Sequence, residues 1–276
     1  MCEKQSVKDV QVKILEIMKY IDKLCRANHI TYYIMGGTAL GAVRHGGFIP
    51  WDDDLDIFMT PSEFTKFKEA VKEDNNTFFV LQEWKTVDDY LEHAKLRMNG
   101  TTLIEENFKH RRDLHQGIYV DIMLLHKIPA KKEILQKKIY FMCKFVTLYA
   151  LSQRNWQPKT FVQAFVLNLL KFLPCKMIAK WCYKNIYKFD GLIEEFKWFY
   201  WITPASFRSG IFDRELFEDP VDVPFEDTML LGSVHIKKYL EYRYGNYMIL
   251  PPKEQQKAAV HAMIFDVNKD YTEYIK

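Results

Sequence analysis

Four aspartates run directly into an apolar strand in this chain, and that junction constrains its fold more than any other feature. The stretch begins Gly36-Gly37-Thr38-Ala39-Leu40-Gly41 and continues Arg44-His45-Gly46-Gly47-Phe48-Ile49-Pro50-Trp51. It ends Asp52-Asp53-Asp54-Leu55-Asp56-Ile57-Phe58-Met59. A solvated acidic face would not pass straight into Leu55-Asp56-Ile57-Phe58-Met59, so at least one acid is carried to the interior edge of a sheet. Residues two apart in a strand share a face, which puts Asp54 with Asp56 and turns Leu55 and Ile57 to the core. Carboxylates held that close raise each other's pKa or find a cation. Mg2+ is the usual hard ion for paired carboxylates beside phosphates.

Upstream, Thr31-Tyr32-Tyr33-Ile34-Met35 is β-rich and predicts a strand. Gly36-Gly37 then turns the chain into a short helix, Thr38 to Arg44, with Thr38 as its N-cap. Backbone N–H groups at the positive end of a helix suit a phosphate, although a glycine pair alone is more often just a tight turn. It is not a P-loop, because Ala42-Val43 stand where Lys-Ser would be. Arg44 and His45 lie between this cradle and the acids. They are either incidental loop charges or contacts to a phosphate or leaving group, Arg44 being suited to a bidentate one. Asp52, Asp54, Asp56 and Glu63 also carry the acid spacing of an EF-hand loop. Ile57 stands where that loop needs Gly, and Pro61 interrupts it, which removes the calcium reading.

Another acid sits inside the apolar run Ile118-Tyr119-Val120-Asp121-Ile122-Met123-Leu124-Leu125. A lone buried carboxylate is costly unless it is paired or metal-bound. Asp121 is therefore either a strand-end acid satisfied by backbone or by the Arg111-Arg112 loop, or a third ligand beside Asp54 and Asp56. The second alternative completes a three-carboxylate, two-metal arrangement for phosphoryl chemistry. His93 to Met98 and Thr101 to Glu105 predict a hairpin about Asn99-Gly100. Lys95 and Arg97 share one face of it, where they either neutralise an anionic donor or lie on a solvated sheet. Trp84, Tyr119, Trp156 and Tyr247 are of the type that boxes a quaternary ammonium, but in a chain with 15% aromatics most are core.

Val7, Val10, Ile14, Ile17, Met18, Ile21, Leu24 and Cys25 recur at helical spacing and predict an amphipathic first helix ended by Asn28-His29. Pro61 opens another helix. From Lys131 to about Lys188 the pattern is helical, broken near Gln157-Pro158 and Pro174; the last third is mixed, with a helix from Val234 to Tyr244. The expected fold class is α/β (α+β): a mixed-sheet catalytic core over residues 1–127, then residues 128–276 as a helical region and a C-terminal part packing back on the core. No apolar run is long enough to span a membrane, the best being Phe161 to Leu173, and the first residues are not those of a signal peptide. Five cysteines without a CxxC pair read as reduced cytoplasmic thiols, neither a disulfide frame nor a zinc site. The charge is uneven. Between Lys131 and Asp190 twelve Lys and Arg face two acids, in a chain of net charge +3. A basic, aromatic insert beside an acidic half predicts an anionic partner, either a membrane surface or a phosphorylated substrate, and not nucleic acid.

The run GGTALGAVRHGGFIPWDDDLDIFM closely resembles the signature of the LicD family, bacterial phosphocholine transferases whose relatives include the fukutin-related proteins. GIYVDIMLL resembles that family's second acidic strand and YGNYMILPP its closing motif, so the likeness extends from Ile30 to Pro252. The resemblance implies a nucleotidyltransferase-like mixed-sheet core. It implies Asp54, Asp56 and Asp121 as catalytic, metal-binding carboxylates for Mg2+ or Mn2+, with two ions expected. Gly36, Gly37, Thr38, Arg44, His45, Lys95 and Arg97 are then the candidates for holding the donor. That donor would be a CDP-alcohol, usually CDP-choline, and the acceptor a sugar hydroxyl of a cell-surface glycan precursor such as teichoic acid or lipopolysaccharide, with CMP released. A precursor built on a lipid carrier would place the protein in the cytoplasm, peripherally on the membrane face. Two rivals remain: transfer of a nucleotide from a nucleoside triphosphate, and a non-catalytic glycan- or lipid-binding protein.

Overall fold

The computed structural model describes residues 5–83, 93–153, 158, 160–172, 175–200 and 208–275. Trp84, Trp156, Gln157, Leu173 and Pro174, singled out above, lie outside the described residues. The fold is mixed α/β, and the chain divides into two compact units. Residues 1–83, 94–123 and 215–276 make the first; residues 84–93 and 124–214 make the second.

The first unit opens with α1 (Val7–Ala27), which buries Val10, Ile14, Ile17, Met18, Ile21 and Cys25 along one stripe. Ser6 and Asp9 close a capping box at its start, and Asn28 ends it. β1 (Tyr33–Ile34) is shorter than the expected strand. α2 (Gly36–His45) follows at once, and β2 (Asp56–Met59) returns antiparallel to β1. Thr38 is not the N-cap of α2. The helix starts earlier, at Gly36 with Met35 as its N-cap, because a positive φ at Gly36 makes the turn. The Thr38 hydroxyl instead accepts the backbone N–H of Asp56 at 2.9 Å, fastening α2 to β2.

α3 (Pro61–Asp74) takes Thr60 as N-cap, has Pro61 in its first turn, and buries Phe64, Phe67 and Ala70. β3 (Phe79–Glu83) pairs antiparallel with β4 (His93–Met98), and β5 (Thr102–Ile104) and β6 (Tyr119–Leu124) complete this part of the chain. The main sheet has the order β1-β2-β6-β4-β3. It therefore sets the acid-bearing β2 directly beside β6, with the Asp121 N–H donating to the Leu55 carbonyl at 3.0 Å.

In the second unit β7 (His126–Pro129) leads into α4 (Glu133–Gln153), α5 (Phe161–Phe172) and α6 (Cys175–Tyr187). β8 (Phe196–Phe199) and β9 (Ile211–Phe212) then form an antiparallel sheet in the order β7-β8-β9. The core here is Ile128, Ile139, Cys143, Val146, Leu170 and Ile186, with α4 packing on both α5 and α6. Among the described residues no single helix is long and apolar enough to cross a membrane. The α5–α6 pair, bent by 98°, has the length and composition only when the two are taken together.

The chain returns to the first unit as an antiparallel hairpin, β10 (Pro220–Phe225) and β11 (Thr228–Ser233), followed by α7 (Ile236–Tyr244) and β12 (Ile264–Asp266). β12 corrects the expected hairpin about Asn99-Gly100. β4 pairs with β3, while β5 leaves the main sheet and pairs with β12. Gly100 does turn the chain, at φ +71°. The strand segment beside β4 is already taken by the approach to β6, where the Met98 N–H donates to the Ile118 carbonyl at 2.8 Å. Cys25, Cys143 and Cys182 are buried and, among the described residues, form no disulfide.

Candidate active site

The glycine turn lies against the acids. Gly36 adopts φ +54°, a left-handed conformation that favours glycine, and its N–H donates to the Tyr239 hydroxyl at 3.0 Å. A Cβ on Gly36 would stand 3.7 Å from Asp56 Oδ2, and one on Gly37 only 2.8 Å from Asp52 Oδ2. At Gly37 a larger residue would push the carboxylate away, whereas at Gly36 the positive φ, not the space, favours glycine. The first N–H of the expected phosphate cradle is already used by Tyr239.

Leu55 and Ile57 are buried on the core side of the strand, which turns Asp54 and Asp56 the other way. Asp121 joins them from β6, one hydrogen bond away along the Leu55 carbonyl. The result is a crowd of like charges. Although Asp54 keeps part of its surface open to solvent, the protein packed around its carboxyl, then Asp52 and Asp121, push it up to about 7. Burial, then Asp54 and Asp121, raise Asp56 well above the usual carboxylate range, with Lys95 opposing. Asp52, hydrogen-bonded to Asp54, is raised by its burial and by Asp53.

Lys95 and Arg97 do share a face, and it is not solvated: both are buried. Lys95 Nζ stands 2.8 Å from Asp121 Oδ1 and 3.4 Å from the centre of the Tyr119 ring. The Arg97 guanidinium lies over the same ring at 4.6 Å and donates to the Gly117 carbonyl at 2.8 Å and to Gln82 Oε1 at 3.1 Å. Burial pushes the Arg97 pKa down. Arg111 pairs with Asp113, so the ion pair of Asp121 comes from Lys95 on the neighbouring strand rather than from the 111–112 loop.

Arg44 and His45 lie in the last turn of α2. They close the far end of α2, eight residues or ~12 Å of helix from Gly36. Arg44 Nε donates to His45 Nε2 at 2.9 Å and its guanidinium to the Tyr247 carbonyl at 3.0 Å. Burial, then Arg44, push the His45 pKa down. Trp51 sets its ring edge-on to His45 at 6.0 Å.

Several neighbours were not legible as site residues. Asp53 is buried and accepts both the backbone N–H of His261, at 2.6 Å, and its ring Nδ1–H. That dyad leaves the imidazole exposed near Asp54 and Asp52, which help Asp53 raise its pKa. Asp53 and His261 are 208 positions apart, and nothing local announces the pairing. Tyr239 and Tyr244 reach the turn from α7; only Tyr244 carried a signal, as the first residue of YGNYMILPP.

Among the described residues no group of three or more His, Cys, Asp or Glu side chains is drawn together as a ready-made metal nest. The fit to a divalent cation rests on the chemistry of the donor set. Asp54, Asp56 and Asp121 offer hard oxygens, the charges of their neighbours raise Asp54 and Asp56, and among the described residues the single cation at Asp121 Oδ1 is Lys95 at 2.8 Å. An oxygen-seeking cation suits that set.

Residues 29–141 match the family model described as LicD/FKTN/FKRP, nucleotidyltransferase domain. The lipopolysaccharide cholinephosphotransferase LicD of Haemophilus influenzae is 25% identical over 264 residues, 92% of this chain and 96% of that protein. The ribitol 5-phosphate transferase FKRP of Homo sapiens is 43% identical over 42 residues, 15% of this chain and 8% of its own length. An uncharacterized protein of Rickettsia typhi, RT0683, is 34% identical over 85 residues, 31% of this chain and 24% of that protein. Residues 29–141, which hold the acid-bearing strands described above, are thus similar to the LicD/FKTN/FKRP nucleotidyltransferase domain, and the chain is similar over most of its length to a LicD cholinephosphotransferase.

Proposed function

We propose that this protein is a metal-dependent transferase that moves phosphocholine, or a similar phospho-alcohol, from a CDP-alcohol to a sugar hydroxyl of a glycan precursor and releases CMP. The observation that supports the reading is that β2, which opens at Asp56 just after Asp54, lies beside the Asp121-bearing β6 next to the Gly36-Gly37 turn. The names of the relatives, a cholinephosphotransferase and a ribitol 5-phosphate transferase, support a phospho-alcohol as the transferred group.

Asp54, Asp56 and Asp121 would hold Mg2+ or Mn2+, two ions in the reading proposed here. The metal's chemistry is to neutralise the donor's pyrophosphate oxygens and to lower the pKa of the acceptor hydroxyl. The acceptor oxygen bonds to the phosphorus that carries the alcohol, the bond from that phosphorus to the CMP oxygen breaks, and CMP leaves with the electron pair. The acceptor's proton passes to one of the carboxylates, which we assign to Asp121. Lys95 stands beside that carboxylate and, with Arg97, would offset the excess of negative charge as an anionic donor arrives. Gly36 and Gly37 give the donor close backbone approach, with Thr38 holding the turn against β2.

The test is direct. Purified protein, Mg2+ and a panel of CDP-alcohols should release CMP, faster with a sugar acceptor than without. Pyrophosphate released from a nucleoside triphosphate would assign nucleotidyl transfer instead, and no product from either donor would leave a binding protein.

A further inference from the structure

α5 is apolar on two opposite sides. Leu167 and Leu170 are buried toward α4. Phe161, Val162, Phe165, Leu169 and Phe172 fall within about 100° of the helix circumference on the other side. They are bare: Phe161 is 86% and Phe172 87% exposed. α6 repeats the arrangement. Its Ala179, Cys182 and Ile186 are buried, while Met177, Ile178 and Trp181 stand outward, bordered by Lys180, Lys184 and Lys188. α4 adds exposed Ile134 and Phe141, with Lys137 and Lys138 beside them. A hollow at the start of α4 is lined partly by Lys131, Lys132 and Lys138. Soluble monomers rarely leave so much hydrocarbon in water on three helices that pack together.

We propose that this face of the second unit docks on an anionic lipid bilayer, lying in the headgroup region without crossing it. Charge complementarity selects the occupant. The twelve Lys and Arg against two acids between Lys131 and Asp190 would attract anionic headgroups. The same charge would set two copies of the surface against each other, which argues against self-association. Aromatic and aliphatic side chains on one stripe with lysines along its borders are the pattern of helices that lie in a membrane interface, the lysine stems reaching back to the headgroups. α5, at 12 residues or ~18 Å, is too short to span the ~30 Å hydrocarbon core.

The experiment is vesicle cosedimentation of the full-length chain, which reads no transfer chemistry and so stands or falls separately from the proposed reaction. Vesicles of phosphatidylcholine mixed with phosphatidylglycerol should carry the protein down, and vesicles of phosphatidylcholine alone should do so about tenfold less well or worse. Raising the salt should weaken binding to the mixed vesicles. The combined variant Phe161→Glu, Phe165→Glu and Phe172→Glu should bind about a hundredfold more weakly. Its melting temperature should hold, because those side chains are already in water. Brominated lipid should quench the fluorescence of Trp181, one of six tryptophans, and Trp181→Phe should remove that quenching. Equal binding by the triple variant, or no binding to either vesicle, overturns the proposal. So does a wild-type dimer in light scattering that the triple variant turns into a monomer.

Discussion

The two units of this chain depart from the usual sorting of polar and apolar side chains in opposite directions. The first hides charge: Lys95, Arg97 and Asp53 are buried, and Asp54, Asp56 and Asp121 press on one another. The second displays hydrocarbon, with phenylalanines along α5 open to water. Neither departure lowers the free energy of an isolated chain in water. Crowded carboxylates are relieved by a cation, and bare aromatic stripes by an apolar or interfacial medium. The contrast teaches that each unit is incomplete in the chemical sense its exceptions announce, and each can be probed by removing the exception.

The largest effect is expected at Asp56. Asp56→Asn should lower transfer by about a thousandfold or more, since it removes a proposed ligand and the charge that goes with it. The same change should leave stability unchanged or raise it by ~1 kcal/mol, because one member of a mutually repelling set becomes neutral. CMP release and thermal melting check the two halves. A steep loss of stability would make Asp56 a structural acid and erase the distinction drawn between the units.

Lys95 should behave in the reverse sense. Lys95→Met leaves the Asp121 carboxylate in a buried setting without its cation and should destabilise the fold by ~3–5 kcal/mol, measured by urea unfolding. Combining it with Asp121→Asn should restore most of that loss, because both partners of the pair are then neutral. A smaller effect is expected from Gly37→Ala. Its Cβ would come 2.8 Å from Asp52 Oδ2, so the carboxylate must move. A shift of that kind beside the reacting groups should slow transfer about tenfold, with stability nearly unchanged.

Much of this was legible because it is local. The 3.6-residue recurrence of Val10, Ile14, Ile17 and Ile21 specifies α1 without reference to the rest of the chain. The alternation of Asp54 and Asp56 with Leu55 and Ile57 specifies which way the strand faces. What was not legible depends on partners far away. Asn99-Gly100 has good turn chemistry, yet whether the flanking strands pair is decided by β12 and the approach to β6. Lys95 and Arg97 looked equally at home on a wet sheet, because a sequence does not say that Tyr119 will lie beneath both. The tie between Asp53 and His261 is invisible for the same reason. Thr38 was misread on local grounds: its residue type suits an N-cap, but the glycine ahead of it starts the helix first.

The smallest effect tests whether hidden titratable groups in the first unit act without any ligand. His115 Nδ1 accepts the Gly117 N–H at 3.1 Å, which leaves Nε2 to donate to Asn99 Oδ1 at 2.7 Å. The neutral ring is therefore fully satisfied, and protonating Nδ1 would set two donors against each other. Burial, then the charge of Arg97, push the His115 pKa down to about 4, against about 6.5 for a free histidine. Between those values the unfolded chain holds a proton that the folded chain refuses. The contribution of His115 to stability is therefore full at pH 7 and is lost as the pH drops from about 6.5 toward 4, while the raised Asp54 and Asp56 act in the opposite sense. Because part of the ring remains open to solvent, the loss should be only ~1–2 kcal/mol. The difference in urea midpoint between the wild type and His115→Gln, measured from pH 7 to pH 4, should change by the equivalent of that amount. If that gap stays constant across the range, His115 does not take up a proton on unfolding, and charge burial in this unit is confined to the acids, whose raised values act in the opposite sense.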